Sequence, residues 1–126
     1  KNKAGVEEAM SESARTAVST HVLDLVTGNP APAIKVRLLD AAGVVLGSAR
    51  TNADGRIEDW DGLVDFAPGT YRLIFEVAAY RDQQDTAAQS VFFPQIDILF
   101  CLDGTRSRVH IPVLLSTYSY TTYRGS

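Results

Sequence analysis

The chain has 126 residues, 45% of them hydrophobic and 21% charged, with a formal net charge of −3. That length and balance fit one domain with its own packed core and exclude wholesale disorder. With no dense run of Lys and Arg it is not expected to bind nucleic acid, and with no apolar run of roughly 18 residues it is not expected to cross a membrane.

Residues 1–16, KNKAGVEEAMSESART, are polar, charged and aperiodic and read as a flexible arm, tag or linker. A short amphipathic helix through GVEEAM is the alternative. Residues 17–126 read as the folded domain. The opening residues lack the basic-then-apolar order of a signal peptide. One cysteine, Cys101, excludes an internal disulfide framework and makes a reducing, cytoplasmic setting the default, with periplasm and peroxisome left open.

From Val18 the spacing becomes period two, as for side chains that alternate across a sheet. VSTHVLDL places His21, Leu23 and Leu25 on one face, and TGNPAPA breaks the pattern at Gly28, Pro30 and Pro32. IKVRLLDA alternates Ile34, Val36 and Leu38 with Lys35 and Arg37, and AAGVVLGSART predicts a third strand after a turn near Gly43. In TNADGR the pair Asp54-Gly55 signals a tight turn, because glycine takes positive φ without strain. DGLVDFAPG reads as a long connection.

TYRLIFEVA resumes strand alternation with Tyr71, Leu73 and Phe75 on one face. AAYRDQQDTAAQS loses that period and holds good helix formers, which predicts a helix of about two turns. QIDILFCL alternates Ile96, Ile98, Phe100 and Leu102 ahead of a turn at GTR. In RSRVHIPVLLS one face is apolar, from Val109, Ile111, Val113 and Leu115; the other begins with Arg106, Arg108 and His110 and ends with Pro112 and Leu114. A face that starts polar and ends apolar suggests an interface or a pocket floor. Pro112 has no N–H to give a ladder, so it is expected near a strand edge or a bulge. YSYTTYRGS reads as the final strand. Seven to eight short strands with one brief helix predict an all-β, two-sheet antiparallel sandwich.

Few groups here carry chemistry. His21 and His110, the only histidines, each sit mid-strand among β-formers, where the ordinary reading is a satisfied, half-buried polar residue. Two histidines and one distant cysteine have no zinc-ligand spacing, so no metal is expected. Arg56 closes the TNADGR turn, ordinarily a solvated position, but its planar guanidinium is also suited to carbonyls or anions. No hydrolase elbow, phosphate-cradling loop or dinucleotide fingerprint appears, so no cofactor is expected.

STHVLDLVTGNPA, TNADGR and HIPVLLSTYSYTTYRGS, in this order, resemble the transthyretin-like family, and the terminal Tyr-Arg-Gly-Ser resembles its 5-hydroxyisourate-hydrolysing branch. The resemblance covers about Val18 to Ser126. It implies a two-sheet sandwich with a short helix after the fifth strand, assembled as a homotetramer, a dimer of dimers with active sites at a central channel. It implies that His21, Arg56 and His110 are catalytic, and that His21 and Arg56 with Tyr123, Arg124, Gly125 and Ser126 bind the substrate. It implies hydrolysis of 5-hydroxyisourate to 2-oxo-4-hydroxy-4-carboxy-5-ureidoimidazoline. The two imidazoles would form an acid-base pair, their individual roles open, and the arginine would stabilise the oxyanion. A small-molecule carrier of the same fold, without catalysis, is the alternative.

Overall fold

A computed structural model describes residues 14–84 and 91–126. The expected N-terminal arm lies outside the described residues up to residue 13. Arg15 pairs with Asp65 at 2.6 Å, and Thr16 already opens the first strand.

Two sheets face each other. The first contains β1 (Thr16–Asp24), β2 (Asn29–Pro30), β5 (Arg56–Ile57), β6 (Asp65–Phe66), β9 (Arg108–Leu115) and β10 (Tyr120–Thr122). Its main path runs β10-β9-β1-β2, with β5 and β6 also paired to β1. The second, in order β4-β3-β7-β8, contains β3 (Lys35–Asp40), β4 (Val45–Arg50), β7 (Gly69–Glu76) and β8 (Gln95–Leu102). Three of these strands are only two residues long, so the main framework is the short-strand sandwich expected from the alternation. Pairing is antiparallel except between β1 and β9, which run parallel with Ser19 opposite His110 and His21 opposite Pro112.

Alternation in β1 is complete. Thr16, Val18, Thr20, Val22 and Asp24 are buried, while Ala17, Ser19, His21 and Leu23 are only half-buried on the opposite face. The apolar inner positions meet Ile111, Val113 and Leu115 of β9 and, from the second sheet, Val36, Leu38, Leu73, Phe75 and Ile96 in one core. Burying side chains of this size contributes about 1.5–3 kcal/mol each. The polar inner positions are satisfied: Thr20 Oγ1 donates to the Ile111 carbonyl at 2.6 Å and Thr16 Oγ1 to that of Arg106 at 2.7 Å. Trp60, immediately before the long connection, is fully buried and donates Nε1–H to the Val18 carbonyl at 3.0 Å. That bond ties the connection to β1.

The helix α1 (Val77–Asp82) starts one residue before the alanine pair from which it was expected. Val77 ends the apolar alternation of β7, yet with Tyr80 it forms the buried i, i+3 stripe of the helix. The backbone N–H groups of Val77 and Ala78 both donate to the Pro94 carbonyl. Residues 85–90 of the predicted helical stretch lie outside the described residues. α1 is anchored through the buried Asp24 carboxylate, which accepts from Tyr80 Oη at 2.7 Å and from Arg81 at 2.6 Å. Burial and the neighbouring carboxylate push the Tyr80 hydroxyl well above its ordinary pKa.

Pro112 departs from expectation in an instructive way. It lies in β9, an interior strand flanked by β10 and β1, so it is not at an edge. The β10 ladder nevertheless stops at the Thr122–Val113 pair, one residue short of Pro112. Pairing on that side resumes only at the isolated His110–Gly125 bridge. Pro112 therefore occupies a gap where no donor is required, and its carbonyl accepts from the Thr122 hydroxyl at 2.9 Å.

Candidate active site

Four neighbouring segments place the chemical groups in a row across the outer face of the first sheet. Gly125 bridges to His110 on β9, His110 lies opposite Ser19 on β1, and His21, on the same face of β1, lies opposite Arg56 on β5. With adjacent strands about 4.8 Å apart, the row spans roughly 15 Å. His21, Arg56, His110 and Gly125, all singled out in the sequence, thus lie along a single surface.

Local chain geometry explains the position of Arg56. Gly55 has φ of +75° and a β-carbon added there would lie 2.4 Å from the Val22 carbonyl oxygen, so only glycine lets the turn press against β1. Gly55 accepts from the Val22 N–H at 2.8 Å, and Asn52 Oδ1 accepts from the backbone N–H groups of Asp54 and Arg56. Arg56 is thereby clamped opposite His21, with its side chain exposed. Among the described residues its guanidinium makes no hydrogen bond or ion pair, which leaves its five donors for a ligand.

His110 is held from both sides. Its Nδ1 lies 2.8 Å from Ser19 Oγ, and its carbonyl accepts from the Gly125 N–H at 2.7 Å. A β-carbon on Gly125 would stand 2.9 Å from His110 Cδ2 and 3.3 Å from Pro112 Cγ, so a side chain there would displace the ring. Ser19 escaped the sequence reading. The available signal was its period-two relation to His21, which puts both on one face.

Electrostatics favour neutral imidazoles. Burial first and then the Arg56 charge lower the His21 pKa from its ordinary 6.5, partly opposed by Asp54. For His110, burial, Arg56 and His21 act in the same direction against an opposing Glu58. Both rings are therefore shifted toward the uncharged form, in which one nitrogen can accept a proton. A depression of about 300 Å³ beside the row is lined by Ala17, Ser19, Glu58, Val64, Asp65 and Arg108, among others.

Two of the other tail residues lie apart from the histidines. Tyr123 and Arg124 line a different cavity, about 180 Å³, with Ile98, Phe100, Val109 and Ile111. That cavity opens on the inner face of β9, opposite His110. Ser126, next to Gly125, is exposed. Among the described residues no group of three or more His, Cys, Asp or Glu is placed to hold a metal ion, and no helix is long and apolar enough to cross a membrane.

Comparison with known proteins identifies the family and the fold. The HIUase/Transthyretin family profile matches residues 18–125. A 5-hydroxyisourate hydrolase of Salmonella dublin is 39% identical over 112 residues, covering 86% of this chain and 80% of its own length. The solved structure of Klebsiella pneumoniae 5-hydroxyisourate hydrolase superposes with a TM-score of 0.76 at 32% identity, over 88% of this chain and 99% of that one. Transthyretin from Sparus aurata superposes equally well, TM-score 0.76, at 25% identity over 86% of this chain and 96% of its own.

Proposed function

The chain belongs to the HIUase/Transthyretin family and hydrolyses 5-hydroxyisourate, and we propose that His21, Arg56 and His110 carry that reaction on the outer face of the first sheet. The observation that carries the assignment is the row itself: a free guanidinium directly opposite one neutral imidazole, with the second one strand away.

In this reading a histidine takes a proton from water as the water oxygen attacks a ring amide carbonyl. Such a base contributes about 10² to 10⁴ in rate. The electron pair displaced onto the carbonyl oxygen is stabilised by Arg56, whose charge is fixed at any working pH. When the tetrahedral centre collapses, the C–N bond breaks and the proton held by the imidazolium passes to the departing nitrogen through the second imidazole, which receives one proton as it gives up another, so both rings end neutral. Water has then been added across the amide, leaving a ureido group and a carboxylic acid that loses its proton to solvent, as in 2-oxo-4-hydroxy-4-carboxy-5-ureidoimidazoline. Gly125 and Ser126 border His110 at one end of the site. Tyr123 and Arg124 act at the β10 edge, where a neighbouring subunit would reach them.

We take the working form to be a homotetramer. Among the described residues β8 and β10 end their sheets, and Leu99, Tyr118 and Tyr120 on or beside them are exposed. Exposed edges with apolar side chains are usually covered. A reducing, cytoplasmic setting fits the single, exposed Cys101. The alternative of a carrier without chemistry is disfavoured by the polar character of the row.

The direct test is ultraviolet decay of freshly generated 5-hydroxyisourate with wild-type protein and with His110→Asn. Loss beyond the spontaneous rate that disappears in the variant is expected; decay at the spontaneous rate with the wild type would remove the assignment.

A further inference from the structure

We infer that Ser19 is a positioning residue for His110, its hydroxyl accepting the Nδ1 proton so that the ring is fixed as the tautomer whose Nε2 lone pair faces the substrate. The inference rests on the hydrolase reading and assigns within it the role of base to His110.

The argument begins with the two edges of the ring. Nδ1 is 2.8 Å from Ser19 Oγ, and the opposite edge, at Cδ2, lies against Gly125, where even a β-carbon would approach to 2.9 Å. Ser19 reaches the ring from β1 and Gly125 from the tail, because β9 runs between them. The tip of the ring is all that remains, so Nε2 is the only nitrogen able to meet a ligand.

A neutral imidazole carries one proton, and the partner of one nitrogen decides the state of the other. If the Ser19 hydroxyl donated to Nδ1, the proton would sit on Nε2, and His110 would have no lone pair for a water proton. If Ser19 accepts from Nδ1–H, Nε2 is a base. That arrangement also survives the reaction unchanged, since the imidazolium formed by proton uptake at Nε2 still donates from Nδ1 to the same oxygen. No hydroxyl rotation is needed during the step.

The chemical type of the partner matters as much as its position. A carboxylate in this place would orient the ring but also draw a proton onto it. A hydroxyl orients without adding charge. The charged and titratable groups acting on His110 are Arg56 after the turn, His21 on β1 and Glu58 beyond β5; an uncharged Ser19 leaves that balance unaltered.

The test combines a spectrum with kinetics. Two-bond 1H–15N spectra of the histidine-labelled protein, recorded where the rings are neutral, should show His110 protonated at Nδ1. Ser19→Ala should lose that signature and lower kcat on fresh 5-hydroxyisourate by about 10- to 100-fold, the usual scale for removing an orienting partner, with KM little changed. Ser19→Thr, which keeps the hydroxyl on a residue suited to a strand, should restore both. His110 protonated at Nε2 in the wild type, or Ser19→Ala with wild-type kcat, overturns the inference. Wild-type protein that leaves 5-hydroxyisourate to its spontaneous decay overturns the hydrolase reading instead, a result separate from the tautomer assignment.

Discussion

Gly125 donates its N–H to the His110 carbonyl at 2.7 Å, and its bare α-carbon forms one wall of the space that the His110 ring occupies. Gly125→Ala would put a β-carbon 2.9 Å from Cδ2, so the ring must tilt. A misplacement of this kind costs about 100-fold in rate. Activity should fall by that order while the melting temperature changes little, since the bridge lies outside the core. Calorimetry beside steady-state kinetics checks both parts.

The three groups of the row have separable contributions. His21→Asn and His110→Asn should each lower turnover by about 10² to 10⁴. Arg56→Lys keeps the charge but loses the fork, and a loss of about 10² to 10³ is expected if the developing oxyanion is its target. Near-normal turnover in both histidine variants would refute the acid-base assignment.

The pH profile should show its acid limb below 6.5, the ordinary histidine value, because burial and Arg56 disfavour both imidazolium forms. Glu58 acts in the opposite sense on His110. Glu58→Gln removes an anion that favours the protonated ring, so the limb governed by His110 should move to lower pH. A limb that stays in place or moves upward in kcat/KM profiles would contradict this. The same shifts bear on stability: below pH 6.5 the unfolded chain takes up protons that the native site refuses, so folding weakens as the solution is acidified.

The second buried polar centre is structural. Asp24 is fully buried, and it receives the Val26 N–H as well as the Tyr80 and Arg81 side chains. Asp24→Ala removes the common acceptor of all three and should cost about 3–5 kcal/mol in a denaturant titration. Tyr80→Phe loses one bond to a charged group and should cost about 1.5–3 kcal/mol.

Much of this was legible in the sequence because it depends on local rules. Period-two alternation marked β1, β3, β7, β8 and β9, and Asp54-Gly55 located the turn that sets Arg56 against β1. Resemblance supplied the roles of His21, Arg56 and His110. What remained hidden depends on which strands become neighbours. Alternation says that Ser19 shares a face with His21 but not that the strand beside it carries His110, since register between segments 91 positions apart is a tertiary property. The same limit applies to Pro112: its missing donor was visible, but the local gap in an interior strand that accommodates it was not. Nor did spacing show that Tyr123 and Arg124 would fall on the opposite side of β9 from His110.

The parallel contact between β1 and β9 fixes when the reactive surface can come into being. A ribosome that has completed β1 through β8 has synthesised the whole second sheet and half of the histidine pair, yet nothing capable of turnover. Contacts of such long sequence separation form late and slowly. Activity should therefore switch on in one step during biosynthesis, with no partly competent nascent species before it.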